Sequence, residues 1–160
     1  MDKARSGCPI NAAVEAFGDN WTLLVLRDVM FGNRRYFREL LAGSEEGIAS
    51  NILADRLKRL VSCGLLTRED AGPGRRAAYS LTEASIQLVP VFAHLGDWGL
   101  RHRQTTKRLR VRGELLATGG PLLWTEFMNE LRTIHLGAAA RERGGPGVMK
   151  RLSEAYAAAQ

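Results

Sequence analysis

Leucines at 53, 57 and 60 recur at the three-to-four-residue step of a helix, and a glycine follows at 64. This spacing places them on one stripe, so Ala49–Ser62 has one side to bury and one to show. Gly64 supplies the C-cap. The polar side holds Asn51, Asp55, Arg56, Lys58 and Arg59, with the apolar Ile52 set among them. Either that face meets something other than water, or it is an ordinary surface helix with one stray apolar residue.

The neighbours of this helix narrow the choice. Ala12, Ala13, Ala16 and Phe17 give one short helix an apolar side. Asp19 or Asn20 can cap a second, from Trp21 to about Phe31 and stopped by Gly32. Its buried face is interrupted only by Asp28. Tyr36–Ala42 makes two more turns, closed by Gly43. Beyond the leucine helix, Leu65-Leu66 and Arg68 begin a strand, Gly72-Pro73-Gly74 turns it, and Ala77, Tyr79 and Leu81 alternate as the return strand. The hairpin carries Arg75-Arg76 at its tip. Thr82 is expected to cap a long helix, with Pro90 predicting a kink or break inside it.

Helix, helix, short helix, loop, helix, hairpin, long helix is the order of a winged helix-turn-helix. The expected class is mainly α with a small β-hairpin wing. In that geometry the leucine helix lies in the DNA major groove and the hairpin reaches phosphates or the minor groove. Ser50, Asn51, Ile52 and Arg59 then become candidates for base contact, since an apolar side chain can pack on a thymine methyl while amide and guanidinium groups read base edges. Arg56 and Lys58 suit phosphates, as do Arg75 and Arg76 on the wing; Arg34, Arg35 and Arg38 flank the preceding short helix. Asp55 is expected to be structural, because phosphates repel a carboxylate unless a base amino group or an arginine meets it. The bland alternative is a solvated face with ion pairs from Asp55 to Lys58 or Arg59.

The formal charge of +6 favours an anionic partner. Residues 1–105 carry 14 Lys/Arg against 12 Asp/Glu, and 106–160 carry 9 against 5, so the excess is spread and local placement must decide. Cys8 and Cys63 make no disulfide framework and no zinc spacing, and three scattered histidines make no metal pattern; no metal or cofactor is expected. No phosphate loop, nucleophile elbow or catalytic acid pair is present, which argues against an enzyme. With no long apolar run and no signal-peptide core, a cytoplasmic protein without membrane contact is expected.

The chain also resembles the HxlR-type (MarR-like) winged-helix transcriptional regulators of bacteria. The residues that carry the resemblance are "CPINAAVEAFGDNWTLLVLRDVMFGNRRYFREL", "GIASNILADRLKRLVSCGLL", "YSLTEAS" and the "DWG" at Asp97–Gly99. It covers about residues 7–103, with Ser85 standing where the family usually has glycine. The resemblance implies a homodimer built on the N-terminal helix and the long helix, with Phe92, Leu95 and Trp98 as interface candidates. It further implies a pseudo-palindromic operator, more often repressed than activated, and a redox, electrophile or small-molecule signal. In several members a cysteine at the position of Cys8 senses oxidants. Such chemistry needs a thiolate, and the following helix with Lys3 and Arg5 nearby is a compatible setting; a small packing residue is the alternative. Cys63 is expected to pack, and Tyr36, Trp98 and Trp124 to serve the core. A different class, a winged-helix scaffold that binds ligands or proteins without reading DNA, would show its basic groups pointing apart.

Two regions are expected: 1–104 for DNA binding and dimerisation, and 105–160 as a helical C-terminal extension. Within the extension, the basic "TKRLRVRGELLATGG" could be an extended arm or short strands. Leu123, Phe127, Leu131 and Ile134 align on a helix, and a weaker helix ends the chain.

Overall fold

The computed structural model describes residues 5–70, 72, 74–140 and 144–159. Lys3 and Pro73 therefore lie outside the described residues. The chain divides into two compact units, Met1–Thr82 and Glu83–Gln160.

The first unit is built from α1 (Pro9–Phe17), α2 (Thr22–Gly32), α3 (Phe37–Ala42), α4 (Ser50–Ser62), β1 (Leu66–Glu69) and β2 (Ala78–Leu81). Asp19 starts α2: its carboxylate accepts the backbone N–H groups of Trp21 and Thr22, each at 2.9 Å. Asn33, one residue past the expected stop, ends it in the left-handed region at φ 47°. Asparagine tolerates that conformation because its short side chain can bond locally. Leu26, Val29 and Met30 of α2 and Leu53, Leu57 and Leu60 of α4 are fully or almost fully buried, joined by Leu40, Leu66 and Leu81. Ala54, on the edge of the α4 stripe, is exposed. The hairpin pairs Leu66 with Leu81, Thr67 with Ser80, Arg68 with Tyr79 and Glu69 with Ala78. The Thr82 hydroxyl, just before α5, donates to the Gly64 carbonyl at 2.7 Å.

The second unit holds α5 (Glu83–Ile86), α6 (Val89–His102), α7 (Lys107–Leu136) and α8 (Val148–Ala158). The break expected at Pro90 falls between α5 and α6, with the proline in the first turn of α6. There its missing N–H costs nothing. The basic stretch after Thr105 is helical, which corrects the expectation of an extended arm or strands. The Arg108 and Arg112 guanidinium groups lie 4.4 and 4.0 Å from the Tyr156 ring centre, so these side chains have a partner on α8. Leu116, on the same helix, is buried. Gly120, at φ 60° and ψ −161°, kinks α7 just before Pro121. The Trp124 indole N–H bonds the Leu116 carbonyl across the kink at 2.8 Å, satisfying an acceptor near the helix break. Leu123, Phe127 and Leu131 are buried with Val148 and Leu152. Glu130 caps α8 by accepting the Val148 N–H at 2.6 Å. Ser85 is fully buried. Among the described residues no helix is long and apolar enough to cross a membrane.

Candidate nucleic-acid interface

The candidate surface begins with how α4 is held. With Leu53, Leu57 and Leu60 facing inward, steps of 100° per residue place Asn51, Asp55, Lys58 and Ser62 on the opposite side. All four are exposed, as is Ser50 at the start of the helix. Ile52, Arg56 and Arg59 fall on one shoulder. Ile52 is half-buried: outside the core, yet only partly in solvent.

Both shoulder arginines bond to groups of the same unit, Arg56 half-buried and Arg59 exposed. Arg59 Nη2 donates to the Glu15 carbonyl at the end of α1, at 2.5 Å. Arg56 Nη1 reaches the Asp19 carboxylate at 3.0 Å, and its Nη2 lies 3.1 Å from Asp55. Asp55 is thus met by an arginine, though by Arg56 rather than Arg59 or Lys58. The cap of α2 and the shoulder of α4 share one carboxylate. Burial pushes the Asp19 carboxyl upward, but bonds from the Thr22 hydroxyl, two backbone N–H groups and Arg56 outweigh it and hold the group at about 2.

A second polar cluster sits behind the site. Asp28, which interrupts the apolar face of α2, is buried but meets Arg27 at 2.9 Å and Arg34 at 3.4 Å. Burial raises its carboxyl above the ordinary range despite both arginines. Arg27 also forks onto Glu46 in the loop before α4, at 2.7 and 2.8 Å, and these bonds hold Glu46 below the usual range. Arg34 further donates to the Gly43 carbonyl at 2.6 Å. A Cβ at Gly43 would come within 2.5 Å of that guanidinium, so a larger residue there would displace the Arg34 side chain.

Arg35 clamps the wing. Its Nε donates to the Tyr79 carbonyl at 3.2 Å and its Nη2 to the Ser80 hydroxyl, while its own carbonyl accepts the Tyr79 N–H at 2.8 Å. Tyr36 continues the pairing as a bridge to Ala78. At the tip, Gly72 and Gly74 take φ values of 95° and 76°, which L side chains avoid. Arg75 and Arg76 beyond them are exposed.

The eight cations singled out from the sequence therefore separate. Arg34, Arg35, Arg56 and Arg59 bond within the unit, whereas Arg38, Lys58, Arg75 and Arg76 are exposed and make no ion pair among the described residues. Sequence reasoning missed Glu15, Glu46 and Tyr79 as partners. Their distance along the chain left no local signal, although the flank position of Arg56 and Arg59 on the helical wheel was readable.

Cys8 is exposed at the N-cap of α1, its N–H bonded to Ser6 Oγ at 3.3 Å. Arg5 is drawn to Glu15 at 2.6 Å. Cys63 is also exposed, with a weak Sγ contact to the Leu60 carbonyl, so it is no packing residue. Of the interface candidates on α6, Leu95 and Trp98 are half in solvent, which removes Trp98 from the core, and Phe92 is half-buried. Ile10 and Val14 on α1 are exposed as well. Among the described residues no group of three His, Cys, Asp or Glu side chains could hold a metal.

A family model described as HxlR-like helix-turn-helix matches residues 16–107. The uncharacterized HTH-type transcriptional regulator Rv3095 of Mycobacterium tuberculosis is 36% identical over 94 residues, 58% of each chain. This chain thus spans under two thirds of that relative's length. The uncharacterized HTH-type transcriptional regulator YdeP of Bacillus subtilis is 30% identical over 108 residues, 64% of this chain and 80% of YdeP. Among solved structures, PA1607 aligns with a TM-score of 0.57 at 31% identity, over 63% of this chain and 69% of that one. The reduced form of the transcriptional regulator YodB from B. subtilis aligns at 0.51 and 25%, over 61% and 95%.

Proposed function

The chain belongs to the HxlR-like helix-turn-helix family, and from that premise we propose that it is a transcriptional regulator that binds double-stranded DNA with α4 and the hairpin. The observation that carries the reading is the outward side of α4. Asn51 and Lys58 stand exposed on a helix anchored by three buried leucines, and the wing tip offers Arg75 and Arg76. Asn51 and Ser50 read bases, Ile52 packs at the groove edge, and Lys58, Arg38 and the wing arginines meet phosphates. Arg34, Arg35 and Arg56 hold the reading elements in place, and Arg59 does so by tying α4 to the end of α1.

The protein works as a homodimer on a pseudo-palindromic operator, more often as a repressor. Exposed Ile10, Val14, Leu95 and Trp98 support the dimer, since apolar groups of this size gain by being covered. Exposed Cys8 supports a redox or electrophile signal, alongside the similarity to YodB. Selection of random duplexes by the purified protein tests the reading. Enrichment of two inverted half-sites about one helical turn (roughly 34–36 Å) apart is expected. Recovery of no motif leaves a winged-helix scaffold that does not read DNA. Cys8→Ser should abolish any oxidant-induced change in binding, and a variant that still responds removes the cysteine from the signal.

A further inference from the structure

The second unit contains a cavity of about 880 Å³ that the DNA-binding reading does not use. This falls within the range of small-molecule sites, roughly 300–1,000 Å³. Thr125, Glu126, Asn129 and Arg132 line it from α7, Arg151 from α8, and Ala138, Ala139 and Pro146 give it an apolar wall.

Its two arginines are unequally committed. Arg132 forks onto Glu83, Nε to Oε2 at 2.9 Å and Nη2 to Oε1 at 2.6 Å, and its Nη1 donates to Asn129 at 2.9 Å. Three of the five N–H groups of a guanidinium are thereby used, leaving two for a ligand. Arg151 stands 3.5 Å from Glu126, longer than a charge-assisted hydrogen bond, with both side chains 40% exposed.

We propose that this groove binds a small organic monocarboxylate, its carboxylate held by Arg132 and Arg151 and its apolar body against Ala138, Ala139 and Pro146. Glu126 on the same rim sets the charge: it repels a doubly charged phosphate more strongly than a single carboxylate. A bound carboxylate also competes with Glu83 for Arg132. Arg132 holds the Glu83 carboxyl down at about 2, so Glu83 is a charged competitor at neutral pH. Glu83 follows Thr82, whose hydroxyl is bonded to the Gly64 carbonyl just past α4. Occupancy of the groove therefore loosens a residue one peptide bond from the segment that steadies α4 and the wing. That consequence for DNA rests on the regulator reading; ligand binding does not.

The test is calorimetric titration of the full chain with phenylacetate and with neutral phenylacetamide. Saturable phenylacetate binding is expected, about tenfold weaker for the amide and for both Arg132→Gln and Arg151→Gln, the order of one charge-assisted bond. Glu83→Gln, which leaves both arginines and frees the Arg132 fork, should bind phenylacetate severalfold tighter. It keeps the test decisive if Arg132→Gln fails to fold. No saturation at tens of millimolar, equal binding of acid and amide, or weaker binding by Glu83→Gln overturns the proposal. Saturable binding that leaves operator affinity unchanged upholds the site and ends the coupling, while absence of DNA binding without ligand counts against the regulator reading alone.

Discussion

Replacing Asp19 by alanine should unfasten two elements at once. The carboxylate accepts the N–H groups of Trp21 and Thr22 at the start of α2 and the Arg56 guanidinium from α4. Loss of an N-cap costs about 1 kcal/mol, and a hydrogen bond to a charged group about 1.5–3 kcal/mol. Arg56, whose side chain is only 20% exposed, would keep just the exposed Asp55 as partner. Asp19→Ala is therefore expected to lose about 2–4 kcal/mol, a Tm fall of roughly 5–15 °C at this chain size. Asp19→Asn keeps the cap and loses only the ion pair, so it should cost about 1 kcal/mol. Urea denaturation followed by circular dichroism measures both. The pH dependence has a fixed sign. A carboxyl held at about 2 against the ordinary 3.8 contributes stability that is present above pH 4 and lost as pH falls toward 2. Its size is at most roughly 2.5 kcal/mol, cut to about 1 kcal/mol by solvent screening, and it should vanish in Asp19→Asn. An alanine variant within 0.5 kcal/mol of wild type (roughly the scatter of neutral surface changes) would refute the shared-anchor reasoning.

Arg35→Ala should free the wing from the loop before α3, costing about 1–3 kcal/mol and speeding amide exchange at Tyr79 about tenfold or more. Phe127→Ala, at a fully buried position, should cost about 3–5 kcal/mol by urea denaturation. Trp98→Ala should weaken self-association about tenfold by sedimentation, as expected for a large aromatic at an interface centre.

The first unit was the more legible in sequence. Leu53, Leu57 and Leu60 set the periodicity of α4, Asp19 or Asn20 marked the start of α2, and alternation through Tyr79 and Leu81 marked β2. Each signal is local, within the reach of a helical turn or a hairpin. What failed was non-local. The run after Thr105 lacks a clear stripe and contains Gly113, Gly119 and Gly120, poor helix formers. Its helix is supported by Tyr156, more than forty positions away. The same limit governs the candidate interface. An arginine's sequence neighbours do not say whether its guanidinium meets Glu15, Tyr79 or solvent, so Arg35 and Lys58 looked alike until the fold separated them. Ile52 is intermediate in the same sense: neither core nor a fully exposed anomaly, but the edge of the surface that Asn51 and Lys58 dominate.

The central claim is that the exposed side of α4 reads DNA. The most direct measurement is fluorescence anisotropy on the selected operator and on scrambled duplex, for wild type, Asn51→Ala and Lys58→Ala, over a series of salt concentrations. Asn51→Ala should lose about 1–3 kcal/mol on the operator and almost nothing on scrambled DNA. Lys58→Ala should weaken both and reduce the salt slope by about one. If both variants bind as wild type does, α4 is not the reading helix.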